Sequence, residues 1–212
     1  MVLQTTQKTI ARKMIFLAKL CKDQHQQLLK TLTQDDLRHL QFDDLITSHH
    51  TKLKPLSVSV LVTRHKRKIL ACAVAPIPAF GHIARPSVKK YGPRKTGLPQ
   101  ALDQLFSQVA TFAPDQGRID SDEHKLYGPA IKKHLRQWQH QQFQSIKAAV
   151  AGQGELKKKA RDPLFAINHT LAMMRANLNR LFRRTWCTTK SLERLEHHLW
   201  LYIGFHNRYL TN

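Results

Sequence analysis

Carboxylates are scarce in this chain: 14 Asp and Glu stand against 35 Lys and Arg in 212 residues, for a formal net charge of +21. A surface so dominated by one sign attracts opposite charge over about a Debye length, so the expected partner is a polyanion, nucleic acid before an anionic membrane. Long apolar runs are missing as well. No stretch of ~18 apolar residues exists, and no basic amphipathic segment carries the aromatic belt of a membrane anchor, so no membrane partner is expected. Cysteine is limited to Cys21, Cys72 and Cys187. Their wide spacing, with no Cys-x-x-Cys, excludes a zinc finger or a disulfide framework and reads as reduced thiols. The first eight residues lack the apolar core of a signal peptide, so the expected location is cytoplasmic. No internal repeat and no coiled-coil heptad is visible.

What is present alternates between helical and strand-like stretches. Between Thr6 and Leu32, apolar residues recur at helical spacing. Within it, Thr5 to Lys13 reads as a fragment of the second helix of a helix-turn-helix. Leu56 to Val62 and Ile69 to Ala75 read as buried strands joined by the basic turn Arg64 to Lys68. Phe80 to Gln100, broken by Gly and Pro, reads as a basic loop. A helix over Ala101 to Phe112 follows, then a short strand, and then a strand candidate over Trp138 to Ile146. Gly152 to Gly154 reads as a hinge, Pro163 to Arg184 as a helix, and Ser191 as the N-cap of a last helix reaching His206.

The few acids are not scattered. Eight of the 14 lie in two windows: Asp35, Asp36, Asp43 and Asp44, then Asp115, Asp120, Asp122 and Glu123. Asp43 and Asp122 stand where strand-like runs end. Carboxylates gathered in a chain that otherwise avoids them suit a divalent cation held against phosphate, because Mg²⁺ takes oxygen ligands and shares its shell with phosphate oxygens.

Acidic strand end, hairpin, helix, acidic strand end, strand and polar helix is the element order of a ribonuclease H-like fold. The expectation is therefore an α/β protein: a mixed sheet of about five strands flanked by helices, with residues 1–36 as an N-terminal helical segment and 37–212 as the catalytic domain. Side by side, its first and fourth strands would bring Asp43 to Asp122. Two carboxylates ~4 Å apart repel by ~4 kcal/mol at an effective dielectric near 20, which a shared cation would offset.

These residues carry a resemblance to a family. Phe42-Asp43-Asp44-Leu45, Ser121 to Tyr127, Ile167 to Thr170, Met174 to Arg184, Lys190 to Glu193 and Tyr202 to Asn207 together resemble transposases of the DDE superfamily, of the insertion-sequence-one type. The resemblance implies metal-dependent cleavage of double-stranded DNA at the ends of an insertion sequence and strand transfer into a target. It implies two divalent ions, Mg²⁺ or Mn²⁺, held by two Asp and a Glu, and a basic residue seven positions after the Glu that contacts DNA. It implies action as a homo-oligomer on paired ends, in association with the nucleoid of a bacterial or archaeal cell.

Carried onto this chain, the two Asp are Asp43 and Asp122, the basic residue is Arg175, and the Glu position falls on Asn168. Seven residues is nearly two helical turns, so Asn168 and Arg175 share a face. An Asn amide oxygen can reach a metal without contributing charge, and Glu155 is the alternative third ligand. Lys125, Lys157, Lys158, Lys159, Arg183 and Arg184, with Arg175, are the expected DNA contacts. They belong to 13 Lys and Arg between positions 125 and 184, where the acids are Glu155 and Asp162. The family's zinc ribbon and most of its helix-turn-helix have no counterpart here. A second expectation therefore stands beside the enzyme: a truncated DNA-binding remnant without turnover.

Overall fold

The apolar run beginning at Leu56 becomes the inner half of a strand in a five-stranded mixed sheet, seen in a computed structural model that describes residues 5–144, 162–181, 186 and 188–211. The strands are β1 (His39–His49), β2 (Thr51–Thr63), β3 (Ile69–Pro76), β4 (Arg118–Asp122) and β5 (Gln139–Phe143), in the spatial order β3-β2-β1-β4-β5. β1 pairs antiparallel with β2 and parallel with β4. β2–β3 is antiparallel and β4–β5 parallel. This is the ribonuclease H-like arrangement expected from the element order.

Helices cover both faces, which is why β2 reads as a near-continuous apolar run. The helices are α1 (Gln7–Thr31), α2 (Gln34–Leu37), α3 (Ala84–Tyr91), α4 (Leu98–Val109), α5 (Tyr127–His134), α6 (Phe165–Asn177) and α7 (Leu192–Phe205). On one face Leu40, Phe42, Leu61 and Ile119 meet Leu102, Phe106 and Val109 of α4 and Tyr127 and Ile131 of α5. Phe42 anchors that layer, its ring 5.2 Å from Phe106 and edge-on to Tyr127 at 4.7 Å. On the other face Leu45, Val58, Val60 and Val62 meet Ile167, Leu171 and Met174 of α6 and Leu195, Leu199 and Ile203 of α7. β1, β2 and β3 thus send side chains into two separate apolar layers.

Several boundaries differ from the sequence expectation, each for a physical reason. β1 does not stop at Asp43 but runs six residues further, because it is paired with β2 as far as Ser48 opposite Pro55. The turn out of it rests on His50 at φ 61°, with Thr189 bonding both sides of the tip. No Asn-Gly signal announces such a turn. The stretch read as a basic loop contains α3, closed by Gly92 at φ 74°, and the first turn of α4. Pro86 and Pro99 sit in first helical turns, where the missing N–H is not needed. α6 ends at Asn177 because Leu178 turns extended and a following 3-10 turn puts Leu181 into the core. β5 is shorter than expected: Trp138 precedes it as a core residue, its indole N–H donating to the Pro114 carbonyl at 2.8 Å.

The N-terminal helix is built into this core. α1 is a continuous 25-residue helix with no break at Lys13, its N-terminus capped by Thr6. It packs on α7, where Gly204 leaves room for Cys21: a Cβ at that glycine would stand 2.9 Å from the thiol sulfur. His25 of α1, 3% exposed, donates from Nε2 to the Leu70 carbonyl on the outer edge of β3. Asn207 completes the protection of that edge, accepting from Ile69 N and donating to Ile69 O, both at 2.8 Å. An edge strand left open is a template for aggregation. Asn207→Ala is therefore expected to cost about 2 kcal/mol, since it orphans a buried donor and acceptor together. Urea unfolding beside Asn207→Asp, which keeps only the acceptor and is expected to retain part of the loss, checks this. Among the described residues no helix is long and apolar enough to cross a membrane.

Candidate active site

Parallel pairing of β1 with β4 runs His39–Arg118, Leu40–Ile119, Gln41–Asp120 and Phe42–Ser121. The next step in register sets Asp43 beside Asp122. Partners in register project to one face of the sheet, so these two carboxylates share the face covered by α6. The proximity is felt: the Asp43 pKa is raised from 3.8 to about 7, chiefly by burial, with Asp122 and Asp44 adding to the rise. The Asp44 N–H, which donates to Asp43 Oδ1 at 2.7 Å, and the Arg175 cation act the other way. Asp122 accepts the His124 N–H on Oδ1 at 3.1 Å, which fixes the turn leaving β4.

The rest of the two acidic windows has structural work. Asp36 forms a capping box with Thr33 at the start of α2 and pairs with Lys66 at 2.9 Å. Asp35, Asp115 and Glu123 are exposed. Asp120 is 1% exposed and occupied on both oxygens, by His39 Nε2 at 2.7 Å and Arg118 Nε at 2.6 Å. That clamp ties β1 to β4 two residues before the candidate pair. Asp44 points to the opposite face of β1.

α6 carries two of the sequence-predicted residues, Arg175 and Asn168. Arg175 is the cation whose charge favours ionised Asp43. Asn168, two turns earlier, donates from Nδ2 to Asp162 Oδ2 at 2.7 Å. Asp162 was not singled out from the sequence; it also accepts the Leu164 N–H at 3.0 Å and so shapes the start of the helix. Gln41 was missed too. Its amide donates to the Pro163 carbonyl at 2.7 Å and accepts from Ile167 N at 3.1 Å, pinning α6 to β1 two residues before Asp43. Flanked by Leu40 and Phe42, it carried no local signal, because both its partners are fixed only by the packing of α6 on β1. Lys125 is exposed in the turn between β4 and α5. Glu155, Lys157, Lys158, Lys159, Arg183 and Arg184 lie outside the described residues.

A second constellation fails as chemistry. Ser121 Oγ lies 2.8 Å from His140 Nε2, the spacing of a nucleophile and its base. The hydroxyl proton, however, goes to the Asp122 carbonyl at 2.7 Å, so His140 must donate rather than accept, and Ser121 is fully buried.

Two carboxylates in register, one with its pKa raised chiefly by burial and in lesser part by the other, fit a single divalent cation. Among the described residues no group of three or more His, Cys, Asp or Glu could hold a metal ion. A third ligand would come from the Asn168 carbonyl oxygen or from Glu155. Compared with known protein families and with curated proteins, the chain matches none.

Proposed function

We propose that the chain is a metal-dependent DNA strand-transfer enzyme of the DDE transposase type, acting on the ends of an insertion sequence. The observation that carries this reading is the β1–β4 register, which sets Asp43 beside Asp122 at the end of a parallel ladder, facing a helix that carries Arg175. Mg²⁺ or Mn²⁺, when bound, would supply an activated oxygen nucleophile and neutralise phosphate charge. Asp43 and Asp122 would hold the cation, which needs both carboxylates ionised. Arg175 has a double duty: it lowers the cost of charge on Asp43 and meets a phosphate of the bound strand. Phosphate contacts of this sort, with those of Lys125, position DNA without reading its sequence. Half-buried on adjacent paired strands, the two carboxylates are oriented before substrate arrives.

The test is nicking of double-stranded DNA that carries the flanking inverted repeats. Cleavage is expected with Mg²⁺ or Mn²⁺ and not with EDTA, and metal-independent cleavage would sink the reading. A second reading, a DNA-binding remnant without turnover, is favoured by one observation: Asn168 stands where the family's Glu is expected, and its amide nitrogen is taken by Asp162. That reading expects DNA retention with no cutting under either metal. Asn168→Glu separates the two, since gain of cutting identifies a site lacking only its third carboxylate.

A further inference from the structure

From Leu45 to Leu102 the chain carries 11 Lys and Arg and no Asp or Glu. The fold gathers part of that stretch at the tip of the β1–β2 hairpin. Ser48 pairs with Pro55, so His49 and Lys54 leave the ladder side by side. Two ties bring the segment after α3 to the same end of the sheet. Ser87 Oγ donates to the Leu53 carbonyl at 2.7 Å, and Gly97 N donates at 2.8 Å to the carbonyl of Pro76, the partner of Leu56. Arg94 lies between those ties. Tyr91, at the end of α3, holds Lys54, whose Nζ stands 4.1 Å from the ring centre. The cations are close enough to act on His49: its pKa is lowered first by burial and then by the charges of His50, Lys54 and Arg94, with a hydrogen bond to the Lys190 backbone opposing the fall.

This cluster has no counter-charge of its own. Among the described residues no carboxylate forms an ion pair with His49, Lys54 or Arg94. Arg94 is the sharpest case. Its Nη1 is buried without a hydrogen-bond partner, yet the residue as a whole is half-buried, so another edge of the guanidinium stays open. A guanidinium cannot relieve desolvation by losing its proton, so the cost persists until an anion meets the open edge. A planar fork beside an ammonium suits phosphate, which gives two oxygens to the fork and a third to the lysine. Lys52, Lys89, Lys90 and Lys95 are exposed around the cluster. An open surface with this many cations fits a chain of phosphates better than one enclosed ion. His49 is also six residues beyond Asp43 on β1, about 20 Å at ~3.3 Å per residue, so one phosphate cannot touch both places.

We infer that Arg94, Lys54 and His49 form a phosphate-binding site for the backbone of double-stranded DNA at the tip of the β1–β2 hairpin. It is a contact separate from those of Arg175 and Lys125. The inference rests on the reading of DNA as the partner, and not on cleavage. At ~3.4 Å per base pair, ~20 Å places this anchor about six base pairs from the candidate active site. It holds the duplex without reading its sequence.

The test is binding of a labelled DNA duplex by the full chain in EDTA, followed by fluorescence anisotropy over a range of salt concentrations. Arg94→Ala/Lys54→Ala is expected to weaken binding by about tenfold or more and to flatten the slope of log Kd against log salt by about 1–2. Lys8→Ala/Lys19→Ala removes the same charge from exposed positions on α1 and is expected to do much less. Arg94→Lys, which keeps the charge but not the fork, is expected to recover only part of the loss seen in Arg94→Ala. Should the double variant fail to fold, Lys54→Ala alone carries the test, with a loss of about threefold. Parental affinity in the Arg94→Ala/Lys54→Ala protein would overturn the inference, and so would an equal loss in the α1 variant, which would show a general field rather than a site. Unchanged DNA affinity, with inorganic phosphate raising the Tm of the parent but not of the variant, would overturn it in favour of a free anion. A parent that binds no duplex even at low salt would overturn both this inference and the transposase reading. The expected loss of binding in a protein that never cuts with Mg²⁺ or Mn²⁺ would sustain the inference and sink the nuclease reading alone.

Discussion

Asp43→Asn is expected to make the metal-free protein more stable above neutral pH while abolishing metal-dependent strand cleavage. The two effects share one cause. A carboxyl held at a pKa of about 7 in the folded protein, against an ordinary 3.8, is penalised for being ionised there. Because the folded pKa is the higher one, between ~pH 4 and ~pH 7 the folded state keeps a proton that the unfolded chain releases, so stability falls as pH rises through that window and levels off above it. The full difference corresponds to about 4 kcal/mol as an upper bound, and the partial exposure of Asp43 with its coupling to Asp122 brings the expected gain nearer ~2 kcal/mol. Asparagine preserves shape and removes the titration. Urea unfolding at ~pH 5 and ~pH 8 checks this: the gain should be small at the lower pH and near its maximum at the higher. Cleavage should drop by at least ~10³-fold, the scale of losing an essential electrostatic group, with DNA retention unchanged. A variant that cuts normally, or one equally stabilised at both pH values, would remove Asp43 from the centre of the site.

That opposition between stability and function shows why the carboxylate pair was legible in the sequence. Carboxylates are scarce here, and two of them closed strand-like runs, so topology alone could bring Asp43 to Asp122. The other members of the windows looked the same on paper. Nothing in Asp120 itself reveals that His39 and Arg118 will occupy both its oxygens, since those partners are fixed by the parallel register rather than by local spacing. Gln41 and Asp162 were invisible for a similar reason: each acts on the backbone of α6, 122 or more positions from Gln41 in one case and within the helix's own first turn in the other. Strand order followed from the succession of elements. The extension of β1 to His49 did not, because two consecutive Asp lower strand propensity locally and only the β2 ladder overrides them.

Gly117→Ala is expected to cost about 3 kcal/mol or more, an effect no sequence pattern announces. Gly117 stands immediately before β4, where three strands begin together: Arg118 N donates to the Arg38 carbonyl at 2.7 Å and Gln139 N donates to the Gly117 carbonyl at 2.9 Å. A Cβ added there would lie 2.7 Å from Trp138 Cη2 and 2.8 Å from both Trp138 Cζ2 and the Arg38 carbonyl oxygen. Ordinary contact is about 3.5–4 Å, so neither neighbour can be merely nudged. Trp138 is held by its indole bond to Pro114, and the Arg38 carbonyl is already a rung of the ladder. Relief must come from separating β4 from the start of β1, which disturbs the register that sets Asp43 beside Asp122. Denaturant unfolding should therefore show a lowered midpoint, and amide exchange at Arg118 and Gln139 should speed up before exchange at the distant β2–β3 ladder. Trp138→Leu in the same chain should recover part of the loss by vacating the ring's place, leaving the clash with the Arg38 carbonyl. A measured coupling near zero between the two positions would mean that the ring does not set the constraint, and a Gly117→Ala protein of parental stability would mean that the strands do not meet as closely as described.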